Sequence, residues 1–462
     1  MKRLQPLWWT LAALAFALLL VRGYKNSQSG FRGDDSQLYL GVRQLFQTGS
    51  FYRDLDYATI ARPGETVWPE EHHVPNAYPP ATALFYLPFA LLPWPLAHIL
   101  WFLMNTACLV VLGIVLFLEF GYRLPREALP IWLLALFVSF PPYDVAFMGQ
   151  TSFPIVLTLT LGWRYAFRPG RAAVWLSALF YSVALTKLTV ALPFLLYQLC
   201  RTGSRRAAVT ALALTAVLTL AVMGVSGKPL AMLTEYRSTI NALFQVGALN
   251  DTSYGQGHSS RTRMTTASVL YFDLIRALNG HPNAPETPTE RTLVRGLEWL
   301  VGLAGIIFFL RCALALNKAE GGRRKGEAKP DSAFLPHPSS FLDDWAFAAL
   351  NAFSMVVLYH NWYDLGQLFI PYIIVLNALV SEPADRRTAR LAALANLVLL
   401  LYVIVRTQFV HLVEKIAHLS HDAAYADMTN LARILLILLF FQLASEMRAA
   451  QRALSSPSLQ PA

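Results

Sequence analysis

Residues 96–119 read LAHILWFLMNTACLVVLGIVLFLE, a run of mostly apolar residues. A helix needs about 20 such residues to cross ~30 Å of hydrocarbon, and this run is long enough. Similar runs, each of roughly 17–25 residues, recur from one end of the chain to the other. The 462 residues are 55% hydrophobic and 14% charged, a balance that is untypical of soluble proteins. The sequence therefore predicts an all-α, polytopic integral membrane protein with about ten transmembrane helices plus partial or re-entrant helices.

The basic residues of the chain cluster in short connectors between apolar runs. The clusters are Arg123 and Arg126; Arg164, Arg168 and Arg171; Arg201, Arg205 and Arg206; Arg323, Arg324 and Lys325; Arg386, Arg387 and Arg390; and Arg448 and Arg452. This placement is the positive-inside pattern of cytoplasmic loops, so the net charge of +10 reports membrane topology. Anionic lipid is a secondary partner, and nucleic acid is not expected as one. Met1-Lys2-Arg3 before the apolar residues 4–21 predicts an uncleaved signal anchor with a cytoplasmic N-terminus.

The same signals predict the domain organisation. Residues 1–448 form a single transmembrane domain, and residues 449–462 form a flexible cytoplasmic tail. Two long loops, 23–95 and 227–292, lie on the outer side. The charged, Gly- and Pro-rich loop 317–340 lies on the cytoplasmic side.

Two apolar stretches do not fit a simple span. Residues 81–93 are too few to cross the bilayer, so we expect them to lie on the outer surface or dip into it. Residues 172–199 have basic connectors at both ends, which predicts two half-helices that turn back near Thr186-Lys187. We find no internal sequence repeat, which weakly disfavours the common transporter architectures.

Asp34 and Asp35 follow the first apolar run and precede an amphipathic stretch. One interpretation is a solvated loop or a helix cap, because Asp is favoured just before a helix. The other is catalytic, with a carboxylate as a general base or as a ligand of a substrate hydroxyl. Position alone leaves both interpretations open.

Three further polar elements fall on the same predicted side of the membrane. Tyr78-Pro79-Pro80 fits a structural role, since proline pairs end extended segments and begin helices. Gln150 lies at a tight turn between two spans, where its amide could bind a sugar hydroxyl or simply complete the turn. Lys187 lies within an apolar stretch, which indicates an anion ligand or carboxylate partner unless it snorkels to the interface.

Two loop segments complete the candidates. His258, Arg261 and Arg263 lie in a polar outer loop, as solvated residues or as a phosphate clamp. His360-Asn361-Trp362-Tyr363-Asp364 connects two spans, either as a turn with interfacial aromatic anchors or as part of a site.

Metal binding has weak support in the sequence. Glu70-Glu71-His72-His73 is rich in ligand types, but adjacent side chains of an extended loop point to opposite sides. The three cysteines, Cys108, Cys200 and Cys312, lack motif spacing. We therefore expect no metal site, no disulfide framework and no cofactor.

Taken in order, these short motifs resemble glycosyltransferase family 87, whose known members include mannosyltransferases of the C-type membrane fold. The matching elements, which extend over roughly residues 1–380, are Asp35 with Tyr39, Gly49, Phe51-Tyr52, Tyr78-Pro79-Pro80 with Pro88, Gly149-Gln150, Lys187, and His360 with Tyr363-Asp364. Two departures stand out. Lys187 is followed by Leu188 where the family more usually has Pro, and the loop of the 250s lacks the family's Asn-x-Ser-Leu pattern.

The resemblance implies transfer of a hexose, most typically mannose, from a polyprenyl-phosphate donor to a hydroxyl of a glycolipid or glycan. It implies a plasma-membrane enzyme with its site on the outer or periplasmic face, and inversion at the sugar carbon. Asp35 would be the base, with Asp34 as the alternative. The donor phosphate would contact Lys187, Arg261 and Arg263. The sugar and the acceptor would contact Tyr39, Tyr78, Gln150, His258, His360, Tyr363 and Asp364.

Two other functional classes remain open from sequence. A lipid or glycan transporter or flippase would also have charge within the membrane and partial helices. We would expect its polar residues along a central path and on both faces, whereas here they gather on the outer side. A non-catalytic scaffold with a degenerate site is disfavoured by the intact Asp35, Lys187 and His360.

Overall fold

The structure is a computed structural model. It describes residues 2–27, 34–52, 56–63, 65, 76–139, 149–243, 287–323, 338–357, 366–381, 390–391, 394–395 and 434–449. Within these ranges the regular structure is helical and no strand occurs, which agrees with the predicted all-α class.

The helices follow most of the predicted apolar runs, and their ends differ by a few residues in either direction. In chain order they are α1 (Gln5–Ser27), α2 (Asp34–Thr48), α3 (Thr82–Ala90), α4 (Trp94–Phe120), α5 (Leu129–Val138), α6 (Ser152–Ala166), α7 (Arg171–Ala184), α8 (Leu188–Cys200), α9 (Arg205–Val225), α10 (Pro229–Leu243), α11 (Pro288–Arg323), α12 (Pro338–Val357) and α13 (Phe369–Ser381). Residues 434–449 are also helical.

Four helices of the described ranges are long and apolar enough to cross a membrane: Lys2–Lys25, Trp94–Phe120, Arg205–Val225 and Trp299–Lys318. Shorter apolar helices cover Arg171–Ala184, Leu188–Cys200 and Gly366–Val380. The protein is thus a helical membrane protein. The predicted total of about ten spans is not confirmed, in part because the predicted span 388–405 lies mostly outside the described residues.

Helices α7 and α8 form the two predicted half-helices, with a break at Leu185–Lys187. Early in α7, the Ser177 hydroxyl donates to the carbonyl of Gly162 in α6 (2.8 Å). Late in α8, the ring of Tyr197 stacks on Trp163, again in α6. Both half-helices therefore run beside the same part of α6 in opposite directions, and the chain enters and returns to one side.

The end of the bundle that contains the C-terminus of α4 holds a network of ion pairs, here called the basal network. Its members are Glu119, Arg164, Arg168, Arg201, Asp343 and Asp344. Arg164 bridges Glu119 (2.9 Å) and Asp344 (3.2 Å). Arg201 pairs with Asp343 (3.0 Å) and is buried. The predicted topogenic arginines at 164, 168 and 201 are thus bound to carboxylates of neighbouring helices.

The predicted cytoplasmic loop 317–340 overlaps the end of one helix. The cytoplasmic loop was expected to begin at residue 317, but α11 remains helical through Arg323. The apolar run ends near Leu316, whereas the helix continues through its polar last turns. The side chain of Asn317 is also anchored, because its amide donates to the Cys200 carbonyl (2.6 Å) and its oxygen accepts from Arg201 (2.9 Å). Residues 227–292 likewise include α10 and the start of α11.

A small hydrophobic cluster packs at the opposite end of α4. It combines one face of α2, the loop residues Phe51 and Tyr52, helix α3, the first turns of α4 and the end of α9. In α2, apolar residues recur at Leu38, Val42 and Leu45, the spacing of one helix face. This cluster fixes α2 and α3 against α4 and so determines the position of Asp35 at the start of α2.

Candidate functional site

Asp35 and His98 form a buried pair between α2 and α4. The exposed fraction of the Asp35 side chain is 0%, and that of His98 is 5%. Nδ1 of His98 is in hydrogen-bond contact with Oδ2 of Asp35. The pair joins the first turn of α2 to the second turn of α4, a candidate membrane span, so it lies at the end of α4 opposite the basal network.

Gly149 packs directly on Asp35 and explains the Gly-Gln element. Its φ of 63° lies in the left-handed region that favours glycine. A Cβ at this position would overlap Oδ1 of Asp35 and lie 2.9 Å from the aspartate's own Cβ. Trp101, one turn beyond His98, fixes the turn by donating from Nε1 to the Gly149 carbonyl (2.8 Å). Helix α4 thus holds both the carboxylate and the glycine beside it.

Several buried polar atoms near this pair have no hydrogen-bond partner among the described residues. They are Oδ1 of Asp35, the hydroxyl of Tyr86, both amide atoms of Gln150 and the hydroxyl of Thr151. The Tyr86 ring packs on Trp101 with centroids 4.5 Å apart. Buried polar groups normally have partners, so these groups are candidates for binding a polar ligand.

Tyr86 retains its proton in this environment. Helix α3 has nine residues and is too short to span the membrane. Burial raises the pKa of Tyr86 well above its usual value, and the nearby Asp35 carboxylate raises it further. The hydroxyl is therefore available as a hydrogen-bond donor to a ligand oxygen.

Lys187 lies at the break between the two half-helices and is half-buried. The contact of Ser177 with Gly162 sets the register between α7 and α6. The two helices run antiparallel, and Lys187 is ten residues after Ser177. Lys187 is therefore level with the first turn of α6, which comes just after Gln150 and about ten residues before Gly162. The structure places this lysine at the same end of the bundle as Asp35.

The hydroxyl of Tyr39 is engaged in a network around Glu65. It donates to the Leu92 carbonyl (2.9 Å) or to Glu65 (3.1 Å), and it accepts from Arg43 (3.2 Å). Burial raises the pKa of Tyr39. Glu65 also accepts the backbone N–H of Trp94 (3.0 Å) at the N-terminus of α4. These bonds tie the Tyr39 hydroxyl to the loop before α4, and its predicted contact with sugar or acceptor stays a prediction.

Tyr78-Pro79-Pro80 begins α3, as the proline pair predicted. The carbonyls of Pro79 and Pro80 accept from the backbone N–H groups of Thr82 and Ala83 (both 3.0 Å). The Tyr78 carbonyl accepts from the hydroxyl of Tyr52 (2.7 Å). The second tyrosine of the Phe51-Tyr52 element therefore anchors the Tyr-Pro-Pro element.

The other predicted site residues are outside the described part of the chain. They are His258, Arg261, Arg263, His360, Tyr363 and Asp364, and for Asp34 only the backbone is described. Gly366, just after the His360–Asp364 connector, lies beside Phe153 in the first turn of α6. Within the described ranges, no group of three or more His, Cys, Asp or Glu side chains could hold a metal ion.

Sequence reasoning missed His98, Trp101, Tyr86 and Glu65. His98 is an ionisable residue inside an apolar run, which is by default a functional candidate. That signal singled out Lys187 and applied equally to His98. Trp101, Tyr86 and Glu65 have no comparable signal, because their roles depend on contacts with distant parts of the chain.

Comparison with known proteins gives one assignment. No curated protein and no solved structure matches the chain. The model of glycosyltransferase family 87 matches residues 76–324, more than half of the 462 residues. The matched segment contains His98, Gly149, Gln150 and Lys187, and Asp35 precedes it. The chain therefore belongs to glycosyltransferase family 87.

Proposed function

We propose that this glycosyltransferase moves a hexose, most typically mannose, from a polyprenyl-phosphate donor to a hydroxyl of a glycolipid or glycan. The proposal places the reaction at the outer or periplasmic face of the plasma membrane, with Asp35 as the base. One observation carries it: Asp35 is fully buried, with one carboxylate oxygen held by His98 and the other without a partner among the described residues.

The chemistry needs only one carboxylate. Phosphate is a good leaving group, so the reaction requires no general acid of the kind that glycoside hydrolysis uses. Oδ1 of Asp35 accepts the proton of the acceptor hydroxyl while its oxygen forms a bond to C1 of the sugar. The bond from C1 to the phosphate oxygen breaks on the opposite face, and the phosphate leaves with the bonding electrons. C1 is thereby inverted.

The remaining roles follow the positions of the polar groups. Gln150, Tyr86 and Thr151 offer unsatisfied buried donors and acceptors that suit sugar hydroxyls. Lys187 provides positive charge at the same end of the bundle for the departing phosphate. In the proposal, Arg261 and Arg263 share that task. The apolar helix α3 contributes to a groove for the polyprenyl chain.

The test is transfer from radiolabelled polyprenyl-phosphate-mannose to a panel of glycolipid acceptors, using membranes that contain wild type, Asp35→Asn or Asp34→Asn. Loss of a general base typically costs ~10²–10⁴-fold in rate, which is the expected effect of Asp35→Asn. Asp56→Asn is the matched control, because Asp56 caps a loop turn outside the site and Asn also caps well.

The outcomes separate the parts of the proposal. A large loss of transfer activity in Asp35→Asn with a smaller loss in Asp34→Asn supports Asp35 as the base. The reverse result assigns the base to Asp34. Full activity in both variants contradicts a carboxylate base. If wild type transfers none of the polyprenyl-linked sugars, including other hexoses, the proposed donor class is wrong.

A further inference from the structure

A buried carboxylate needs a compensating partner. Transfer of an isolated ionised group into an apolar environment is so costly that the group usually takes up a proton instead. A protonated Asp35 could not act as a base. Among the described residues, the only group in ion-pair distance of Asp35 is His98. His98 is therefore the described group that can compensate the charge of this carboxylate.

The imidazole itself is held in one orientation. Trp94 lies one turn earlier on α4, and its indole is tilted against the His98 ring with centroids 5.1 Å apart. The N-terminus of α4 is tied down where Glu65 accepts the backbone N–H of Trp94 (3.0 Å). A helix fixed at this point gives Nδ1 of His98 little freedom to leave the carboxylate.

We propose that His98 is the positioning residue of the transfer reaction. Its Nδ1–H holds Oδ2 of Asp35, which orients the carboxylate and leaves Oδ1 to accept the proton of the acceptor hydroxyl. This inference rests on the proposed function. The proton moves from the acceptor to Oδ1, and His98 keeps its own proton throughout, so no proton passes through the imidazole.

The role predicts a specific pattern of replacement. The side-chain amide of Asn can place an N–H close to the position of Nδ1, whereas the longer Gln places its N–H nearer the position of Nε2. His98→Asn should therefore keep the hydrogen bond to Asp35, and His98→Gln and His98→Leu should lose it. We expect kcat to fall ~10²-fold in His98→Gln and in His98→Leu. In His98→Asn the fall in kcat should be smaller by a factor of about ten or more. KM for the donor should change little in all three.

A double-variant cycle tests whether His98 acts through Asp35. In the Asp35→Asn background, His98→Leu should cause no further loss of kcat, because the group it positions has gone. Thr106→Val is the control for perturbation of α4, since the buried Thr106 hydroxyl donates to the Phe102 carbonyl of its own helix (2.9 Å). Its transfer rate should remain near that of wild type.

The results distinguish this inference from the proposed function. If Asp35→Asn is inactive while His98→Leu is fully active, the positioning role of His98 is wrong, and the proposal that Asp35 is the base still holds. If Asp35→Asn is active, the base itself is wrong. Equal rates for His98→Asn and His98→Gln, or a KM effect without a kcat effect, also overturn the positioning role. Should His98→Leu fail to yield monodisperse protein in detergent, the Asn and Gln variants, which are both polar, decide the question.

Discussion

The backbone of Gly149 occupies the space directly against the carboxylate of Asp35, and a Cβ there would overlap Oδ1. The Gly-Gln element and the aspartate of α2 are distant in sequence but form one packed unit, closed by the hydrogen bond from Trp101 to the Gly149 carbonyl. The glycine makes room for the carboxylate, and the next residue, Gln150, supplies the unsatisfied amide beside it.

Gly149→Ala should therefore abolish transfer by displacing Asp35. The φ of 63° adds strain of roughly 1–3 kcal/mol for an L-residue. Gly227→Ala is the matched control, because Gly227 has a φ of 67° but open space around its Cβ position. It should lose stability by a comparable backbone term and retain its kcat. Thermal unfolding in detergent and transfer kinetics check both, and an active Gly149→Ala enzyme would contradict the packing role.

Gln150→Met should lower activity without lowering stability. Both amide atoms of Gln150 are buried without partners among the described residues, so their removal is neutral or slightly stabilising for folding. If these atoms bind sugar hydroxyls, the transfer rate should fall by ~10-fold or more.

Gln198→Met is the control for this effect. Gln198 is also buried, and neither of its amide atoms has a partner among the described residues, but it lies in the last turn of α8, at the end of the bundle that holds the basal network. It should match Gln150→Met in melting temperature and match wild type in rate. Equal activity of the two variants would remove Gln150 from the sugar site.

Glu65→Gln should destabilise the protein by about 1–2 kcal/mol through the N-terminus of α4. The carboxylate accepts from Trp94 and pairs with Arg43, whose Nη1 is 3.7 Å away. Glu127→Gln is the control, since among the described residues Glu127 pairs with the exposed Lys2 at 3.8 Å and such surface pairs contribute little. Chemical unfolding of the two variants gives the comparison, and equal effects would show that the loop does not secure α4.

Arg201→Ala should destabilise the protein by about 3–5 kcal/mol, because it removes the cation that compensates the charge of the buried Asp343 carboxylate. The transfer rate of the folded fraction should remain unchanged, since this pair is at the far end of the bundle. Replacing both partners with apolar residues, Arg201→Met with Asp343→Leu, should recover much of the stability. A loss of kcat in the folded fraction would show that the two ends of the bundle are coupled.

Most helices could be predicted from the sequence because long apolar runs leave a membrane protein few alternatives. The half-helices at 172–199 were predictable for a similar reason: basic residues at both ends of one apolar stretch require the chain to return. The end of α11 was not, because a helix can continue as polar turns after its apolar run ends, and hydropathy does not register those turns.

The site was predictable only in part. Asp35 and Gln150 stand out because they are polar residues beside spans. His98 is averaged into the hydropathy of 96–119, and its importance depends on Asp35 lying against it. Glu65 lies in an irregular loop without periodicity, and only the folded structure shows that it accepts the first N–H of α4.

The continuity of α4 also limits which insertions and deletions the chain can tolerate. His98 and Glu119 are 21 residues apart on one helix, a separation of ~32 Å at about 1.5 Å per residue. Insertion or deletion of a single residue between them would turn one end relative to the other by about 100°. Asp35 or Arg164 would then lose its partner. Related sequences should therefore tolerate length changes in the connectors on either side of α4 and avoid them within it.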